Sequence, residues 1–146
     1  MTDSADIGRQ TTVLIVEDHS PLRQILRDFL QSAFPSCNFR EAADGASEVE
    51  ACNAYRPNLV LMDVCLPYAD GIELTARLKT LYPEMQVIVV SHRSGEVYVQ
   101  RALAAGARAY VCKDHIVTDL IPAVAAAMGI RQATDTGSSL MGEVGL

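Results

Sequence analysis

The chain has 146 residues, 49% of them hydrophobic and 21% charged, and carries a net charge of −6. That length suits one core, since single domains usually take roughly 100 to 200 residues, and the acidic balance excludes general attraction to nucleic acid or an anionic membrane. Residues 1–10 are polar, without the apolar centre of a secretory signal, and no apolar run approaches a membrane span, so a cytoplasmic, non-membrane protein is expected.

Taken in chain order, the ordered part begins near Thr12 with an apolar run at 13–16. Ser20 then reads as a helix cap with Pro21 at the first helical position, and Leu22, Ile25, Leu26, Phe29 and Leu30 recur at helical spacing on one face. This leaves Arg23, Gln24, Arg27 and Gln31 for the exposed side. A more polar strand at 38–42 suits a sheet edge, and Asp44-Gly45 turns into a helix running to about Tyr55 and closed by Pro57. A second buried strand is expected at 59–62, a helix at 71–81 stopping before Pro83, and a third apolar strand at 87–90. A helix over 95–105 ends at Gly106, a weaker strand follows at 109–112, and a last helix at 120–128 tolerates Pro122 in its first turn. Near-continuous apolar strands alternating with helices predict a doubly wound α/β fold, a five-stranded parallel sheet covered on both faces. The expected domains are a disordered segment at 1–11, one folded unit at 12–129, and a flexible Gly, Ser and Thr-rich tail at 130–146.

Open parallel sheets bind ligands beyond the carboxyl ends of their strands. Here the central strands run into Glu17 and Asp18, Asp63, Ser91 and Lys113. Three carboxylates gathered at one rim raise one another's pKa unless a cation is present, and oxygen ligands of this kind suit Mg²⁺. A lysine and a hydroxyl beside them complete a pocket for a phosphoryl group, with Asp63 the nucleophile. An Asp ending a strand is, alone, more often a turn or helix cap; the company it keeps argues for chemistry. His19 and His92 lack the spacing of a triad or a metal site and read as peripheral, while Pro67 and Gly71 read as loop geometry. Four separated cysteines, Cys37, Cys52, Cys65 and Cys112, indicate neither a zinc site nor a disulfide framework.

The motifs VLIVEDH at 13–19, LVLMDVCLPYADG at 59–71, VIVVS at 87–91 and AGARAYVCKD at 105–114 resemble the receiver domains of bacterial two-component response regulators, nearest in motif to the NarL/FixJ type. The resemblance implies a flavodoxin-like or CheY-like (βα)5 fold with strand order 2-1-3-4-5. It implies Asp63 as phosphoacceptor, with Mg²⁺, or Mn²⁺ in its place, held by Glu17, Asp18, Asp63 and the Cys65 backbone carbonyl. Lys113 would pair with Asp63 and then with phosphate, and Ser91 and Tyr110 would form the switch. It implies a signalling switch rather than an enzyme, one that catalyses its own phosphorylation and slow dephosphorylation. The donor would be a sensor histidine kinase or a phosphotransfer protein, docking on the first helix. Output would pass to an effector or a fused DNA-binding domain absent from this chain, with no nucleic acid bound by the domain itself. The surface around Arg101, Ala104 and Tyr110 would serve output or a homodimer.

Two departures from the family pattern matter. Asp114 stands where many receivers have proline after the lysine, and Cys65 and Arg93 occupy the overhanging positions two beyond Asp63 and Ser91, where they are expected to tune phosphoryl lifetime. Two other readings are weaker. A degenerate receiver acting as a constitutive binding module would lose the acidic pair, the Asp or the Lys, and none is lost. A haloacid-dehalogenase-like phosphatase needs a second Asp where Cys65 stands.

Overall fold

The computed structural model describes residues 11–67, 69–93 and 95–129. The expectations for residues 1–10 and for the tail at 130–146 fall outside the described residues. Five strands, β1 (Thr12–Val16), β2 (Asn38–Ala42), β3 (Leu59–Met62), β6 (Gln86–Ser91) and β7 (Ala109–Cys112), form a parallel sheet in the order β2-β1-β3-β6-β7. Counting only these five, that is the expected order 2-1-3-4-5, with the polar strand at one edge.

Period-two alternation sorts each strand's side chains onto two faces. Val13, Ile15, Leu59, Leu61, Ile88 and Val90 meet Leu26 and Leu30 of α1 (Ser20–Ala33) and Leu120 and Val124 of α5 (Ile116–Met128). On the other face, Leu14, Val16, Val60, Met62 and Val87 meet Cys52 of α2 (Gly45–Tyr55) and Leu74 and Leu78 of α3 (Gly71–Leu81). Val89 packs with Ile72 of α3 and Ala102 of α4 (Glu96–Ala104). The near-continuous apolar runs are thus two half-runs, each serving its own layer of helices.

Several local expectations are corrected. Ser20 does not cap α1 but begins it, after His19, whose side chain makes no cap bond. Ile25 is 61% exposed rather than buried. At about 100° per residue it lies a quarter-turn from Leu26, beyond the buried stripe. Of the polar residues expected outside, Gln24 is exposed, whereas Arg23, Arg27 and Gln31 are half-buried on the flank facing β2. Arg23 and Arg27 both pair with Glu41 there, at 2.9 and 2.6 Å. The last helix starts at Ile116, after a 3-10 turn at Lys113–His115, so Pro122 lies inside it and not in its first turn. Pro122 and Thr118 are both exposed, so solvent can satisfy the Thr118 carbonyl left without an intrahelical donor.

The loop after β3 holds a feature the sequence reading missed, a short antiparallel pair of β4 (Cys65–Leu66) and β5 (Ala69–Asp70). It leads into α3, where Asp70 caps the helix through the Ile72 amide at 2.8 Å. Gly71 is more than loop geometry. A Cβ there would stand 2.0 Å from the Asp63 carbonyl oxygen and 2.9 Å from Val64 Cα, so only glycine lets α3 begin against the chain that carries Asp63.

Candidate functional site

Register brings the strand-end residues together. Val16 pairs with Met62, so Glu17 and Asp63 emerge side by side, and the Asp63 amide donates to the Val16 carbonyl at 3.2 Å. Ser91 pairs with Cys112, which places Lys113 one residue beyond it. Glu17, Asp63 and Ser91 are all buried, at 2%, 5% and 1% exposure, while Asp18 is exposed at the rim.

Lys113 is the centre of the charge arrangement. Its Nζ lies 2.7 Å from Glu17 Oε1 and 3.1 Å from Asp63 Oδ2, with all three side chains nearly excluded from water. The remaining carboxylate oxygens are held by backbone: Asp63 Oδ1 accepts from the Cys65 amide at 3.1 Å and Glu17 Oε2 from the His19 amide at 3.1 Å. Burial raises the Glu17 pKa; the Lys113 bond opposes this and the charge of Asp63 adds to it. For Lys113, burial opposes the charged form, yet the bond to Glu17 and the charge of Asp63 leave its pKa above the ordinary value.

Glu17, Asp18 and Asp63 each offer an oxygen, all within 4.8 Å of one another. Three carboxylates and one ammonium leave a net charge of −2, which a hard divalent cation would cancel. The donor set, all oxygen with one member exposed for access, fits Mg²⁺ in chemistry as well as charge.

A cavity of about 700 Å³ opens over these groups. Besides the expected residues it is lined by Leu22, His19, His92 and Tyr98. Both histidines border the pocket, as residues that flank the strand ends should. Leu22 and Tyr98 were missed; Tyr98 lies five residues past Arg93 on α4, and nothing in a motif marks it. Arg93 forms a strap across the mouth. Its Nε lies 3.2 Å from Cys65 Sγ, its Nη1 donates to the Tyr98 hydroxyl at 3.1 Å, and its guanidinium lies 5.3 Å from the Tyr98 ring centre.

The same residue ties down the two hydroxyls expected to switch. The Arg93 amide donates to Ser91 Oγ at 3.1 Å, and the Tyr110 hydroxyl donates to the Arg93 carbonyl. Tyr110 thus turns toward the loop after β6, and burial raises its pKa. On the face expected to serve output, Arg101 pairs loosely with Asp70 at 3.4 Å and Ala104 is exposed. Among the described residues no helix is long and apolar enough to cross a membrane.

Known proteins resemble this chain in sequence and fold. Residues 13–125 match the model of the response regulator receiver domain. The chain is 36% identical over 146 residues to the transcriptional regulatory protein PdtaR of Mycobacterium tuberculosis, covering 98% of this chain and 67% of that protein. It is 32% identical over 112 residues to the transcriptional regulatory protein DegU of Brevibacillus brevis, covering 77% of this chain and 48% of DegU. This chain therefore spans two thirds of one relative's length and about half of the other's. Among solved structures, the signal receiver domain of the putative response regulator NarL from Mycobacterium tuberculosis superposes with a TM-score of 0.75 at 29% identity, over 83% of this chain and 98% of that one. Matched in sequence over residues 13–125 and in fold over 83% of its length, this chain belongs to the response regulator receiver domain family.

Proposed function

We propose that the chain is a phosphorylation switch in which Asp63 takes a phosphoryl group from a phosphohistidine of a sensor histidine kinase or phosphotransfer protein. The observation that carries this reading is the convergence of Glu17, Asp18 and Asp63 within 4.8 Å, with Lys113 bonded to two of them. Mg²⁺ held by Glu17, Asp18, Asp63 and the Cys65 carbonyl would supply the positive charge that neutralises phosphoryl oxygens. An Asp63 carboxylate oxygen forms the new bond to phosphorus as the phosphorus–nitrogen bond of the donor breaks, and the leaving imidazole takes up a proton. Lys113 orients Asp63 beforehand and pairs with the phosphoryl oxygens afterwards.

Ser91 then exchanges the Arg93 amide for a phosphoryl oxygen, which loosens the loop that also holds the Tyr110 hydroxyl. This is how a charge at Asp63 comes to favour one conformer over another. Cys65 and Arg93, strapped across the mouth, govern access of hydrolytic water and so the lifetime of the acyl phosphate. The kinase docks beside the pocket on α1, where Ile25 is exposed. Output passes through the face of α4, β7 and α5, where Val97, Leu103 and Val117 are 67, 47 and 79% exposed around Arg101 and Ala104. The relatives are named transcriptional regulators, and control of transcription is the output we assign, exerted by a partner or by a domain outside this one.

The test is intact-protein mass after incubation with acetyl phosphate or phosphoramidate, with and without Mg²⁺, beside Asp63→Ala. A Mg²⁺-dependent gain of one phosphoryl group, lost in the variant, is expected. No gain with either donor would overturn the reading in favour of a constitutive binding module.

A further inference from the structure

The backbone of Glu17 is held at both ends by groups outside the pocket. Its amide donates to the carbonyl of Ala42, the last residue of β2, at 3.0 Å, and its carbonyl accepts from Arg23 Nη1 at 2.6 Å. Arg23 stands in the first turn of α1, where its amide bonds the His19 carbonyl at 2.9 Å. Its Nε donates to Glu41 Oε1 at 2.9 Å, and the other Glu41 oxygen accepts from Arg27 at 2.6 Å. With its side chain only 17% exposed, Arg23 is a seated group rather than a solvated charge.

We propose that Arg23 is a positioning residue for the metal-binding carboxylates: by clamping the Glu17 carbonyl it fixes the peptide between Glu17 and Asp18, and with it the spacing of those two side chains from Asp63. The inference rests on the reading of these three carboxylates as the Mg²⁺ site. Like charges push the exposed Asp18 away from Glu17 and Asp63 when no cation is bound, and a fixed peptide opposes that spread. Mg²⁺ tolerates little departure from ideal geometry, so oxygens already held within 4.8 Å of one another bind it with less ordering left to do.

The residue types suit the task. A guanidinium carries its donors in a rigid planar fork, so Arg23 reaches Glu41 and the Glu17 carbonyl at once through different nitrogens. Glu41 precedes Ala42 on β2, so one strand end holds the Glu17 amide directly and the Glu17 carbonyl through Arg23. The clamp acts on backbone rather than through charge: the groups that move the Glu17 pKa are Lys113, Asp63 and the His19 amide, together with burial, and Arg23 is not among them. The distinction has a sign. Removing a nearby positive charge would tighten cation binding, whereas removing a clamp weakens it.

The experiment is a Mg²⁺ titration of the full chain, followed by NMR shifts of the Glu17 and Asp63 amides, with urea melts in parallel, for the parent, Arg23→Gln, Arg23→Lys and Arg27→Gln. Arg23→Gln should weaken Mg²⁺ binding roughly tenfold. Its phosphorylation by acetyl phosphate should need correspondingly more Mg²⁺ yet reach the parent rate at saturation. Arg27→Gln removes a bond to the same Glu41 and the same unit of charge without touching Glu17, so it should lower the urea midpoint and leave Mg²⁺ affinity within about twofold. Arg23→Lys keeps the charge and can pair with Glu41 but lacks the fork, so it should recover the urea midpoint without recovering Mg²⁺ affinity, and it decides the matter if Arg23→Gln fails to fold. Unchanged or tighter Mg²⁺ binding in Arg23→Gln, an equal loss in Arg27→Gln, or full recovery in Arg23→Lys overturns the clamp and leaves the Mg²⁺ site standing. Absence of Mg²⁺ binding by the parent overturns the reading of the site, and the clamp with it.

Discussion

Gly71→Ala isolates the contact that fixes Asp63, the proposed phosphoacceptor. The added methyl would lie 2.0 Å from the Asp63 carbonyl oxygen, 2.8 Å from its carbon and 2.9 Å from Val64 Cα. All three are backbone atoms, so no rotamer change can relieve the contact, and α3 or the Asp63 segment must move by more than about 1 Å to restore ordinary van der Waals distance. Such overpacking costs about 1–3 kcal/mol. The movement also strains the Gly71 amide bond to the Val64 carbonyl, 2.9 Å long, whose loss adds roughly 0.5–1.5 kcal/mol. The sum is about 1.5–4.5 kcal/mol, which at a urea m-value near 2 kcal/mol/M lowers the unfolding midpoint by roughly 0.8–2.3 M. Urea melts followed by circular dichroism measure this directly. The variant that remains folded should also accept phosphoryl from acetyl phosphate at least tenfold more slowly, because the carboxylate is displaced from Lys113. A midpoint within about 0.2 M of the parent, with an unchanged phosphorylation rate, would refute the reasoning.

Three other changes test separate parts of the structure. The Arg27 bond, reinforced by Arg23, lowers the Glu41 pKa below its ordinary 4.5, so its stabilisation is present above that value and is lost as pH falls through the folded pKa. Glu41→Gln should therefore cost about 0.5–1 kcal/mol at pH 7, after allowance for screening, and progressively less as pH falls through the folded pKa; a cost independent of pH would contradict the assignment. Burial raises Glu48 above its ordinary 4.5, so its contribution is favourable only below that value and is lost as pH rises through the folded pKa. Glu48→Met should raise stability by about 1–3 kcal/mol at pH 7 and by much less at pH 4, and equal gains at both would show that ionisation is not involved. Cys65→Asn and Arg93→Ala each remove one anchor of the strap, and each should change the dephosphorylation rate of Asp63 several-fold, as read by loss of phosphoryl mass over time. Unchanged rates in both would end the lifetime-tuning role.

Local chemistry was readable along the chain because it depends on neighbours in sequence. Apolar runs at 13–16, 59–62 and 87–90 demanded a sheet covered on both faces, and each run ended in the residue that reaches the pocket. The turn at Asp44-Gly45 and the helix from Gly71 to Leu81 were legible for the same reason. Where one signal had two outcomes, tertiary packing chose. Helical spacing put Ile25 on the apolar face, and only the position of α1 on the sheet left it exposed while drawing Arg23 and Arg27 to Glu41.

The composition of the carboxylate and lysine pocket was thus determined by sequence, and its connections by tertiary structure. That Lys113 bonds Glu17 as well as Asp63 follows from the register of β1, β3, β6 and β7, which joins residues nearly a hundred positions apart. Tyr98 enters through Arg93, and Cys52 meets Met85 through the packing of α2 against the segment leading into β6. Periodicity states which face a side chain occupies. Which groups meet it there depends on how separate elements stack, because hydrophobic burial fixes the layers without regard to the polar atoms they carry inward.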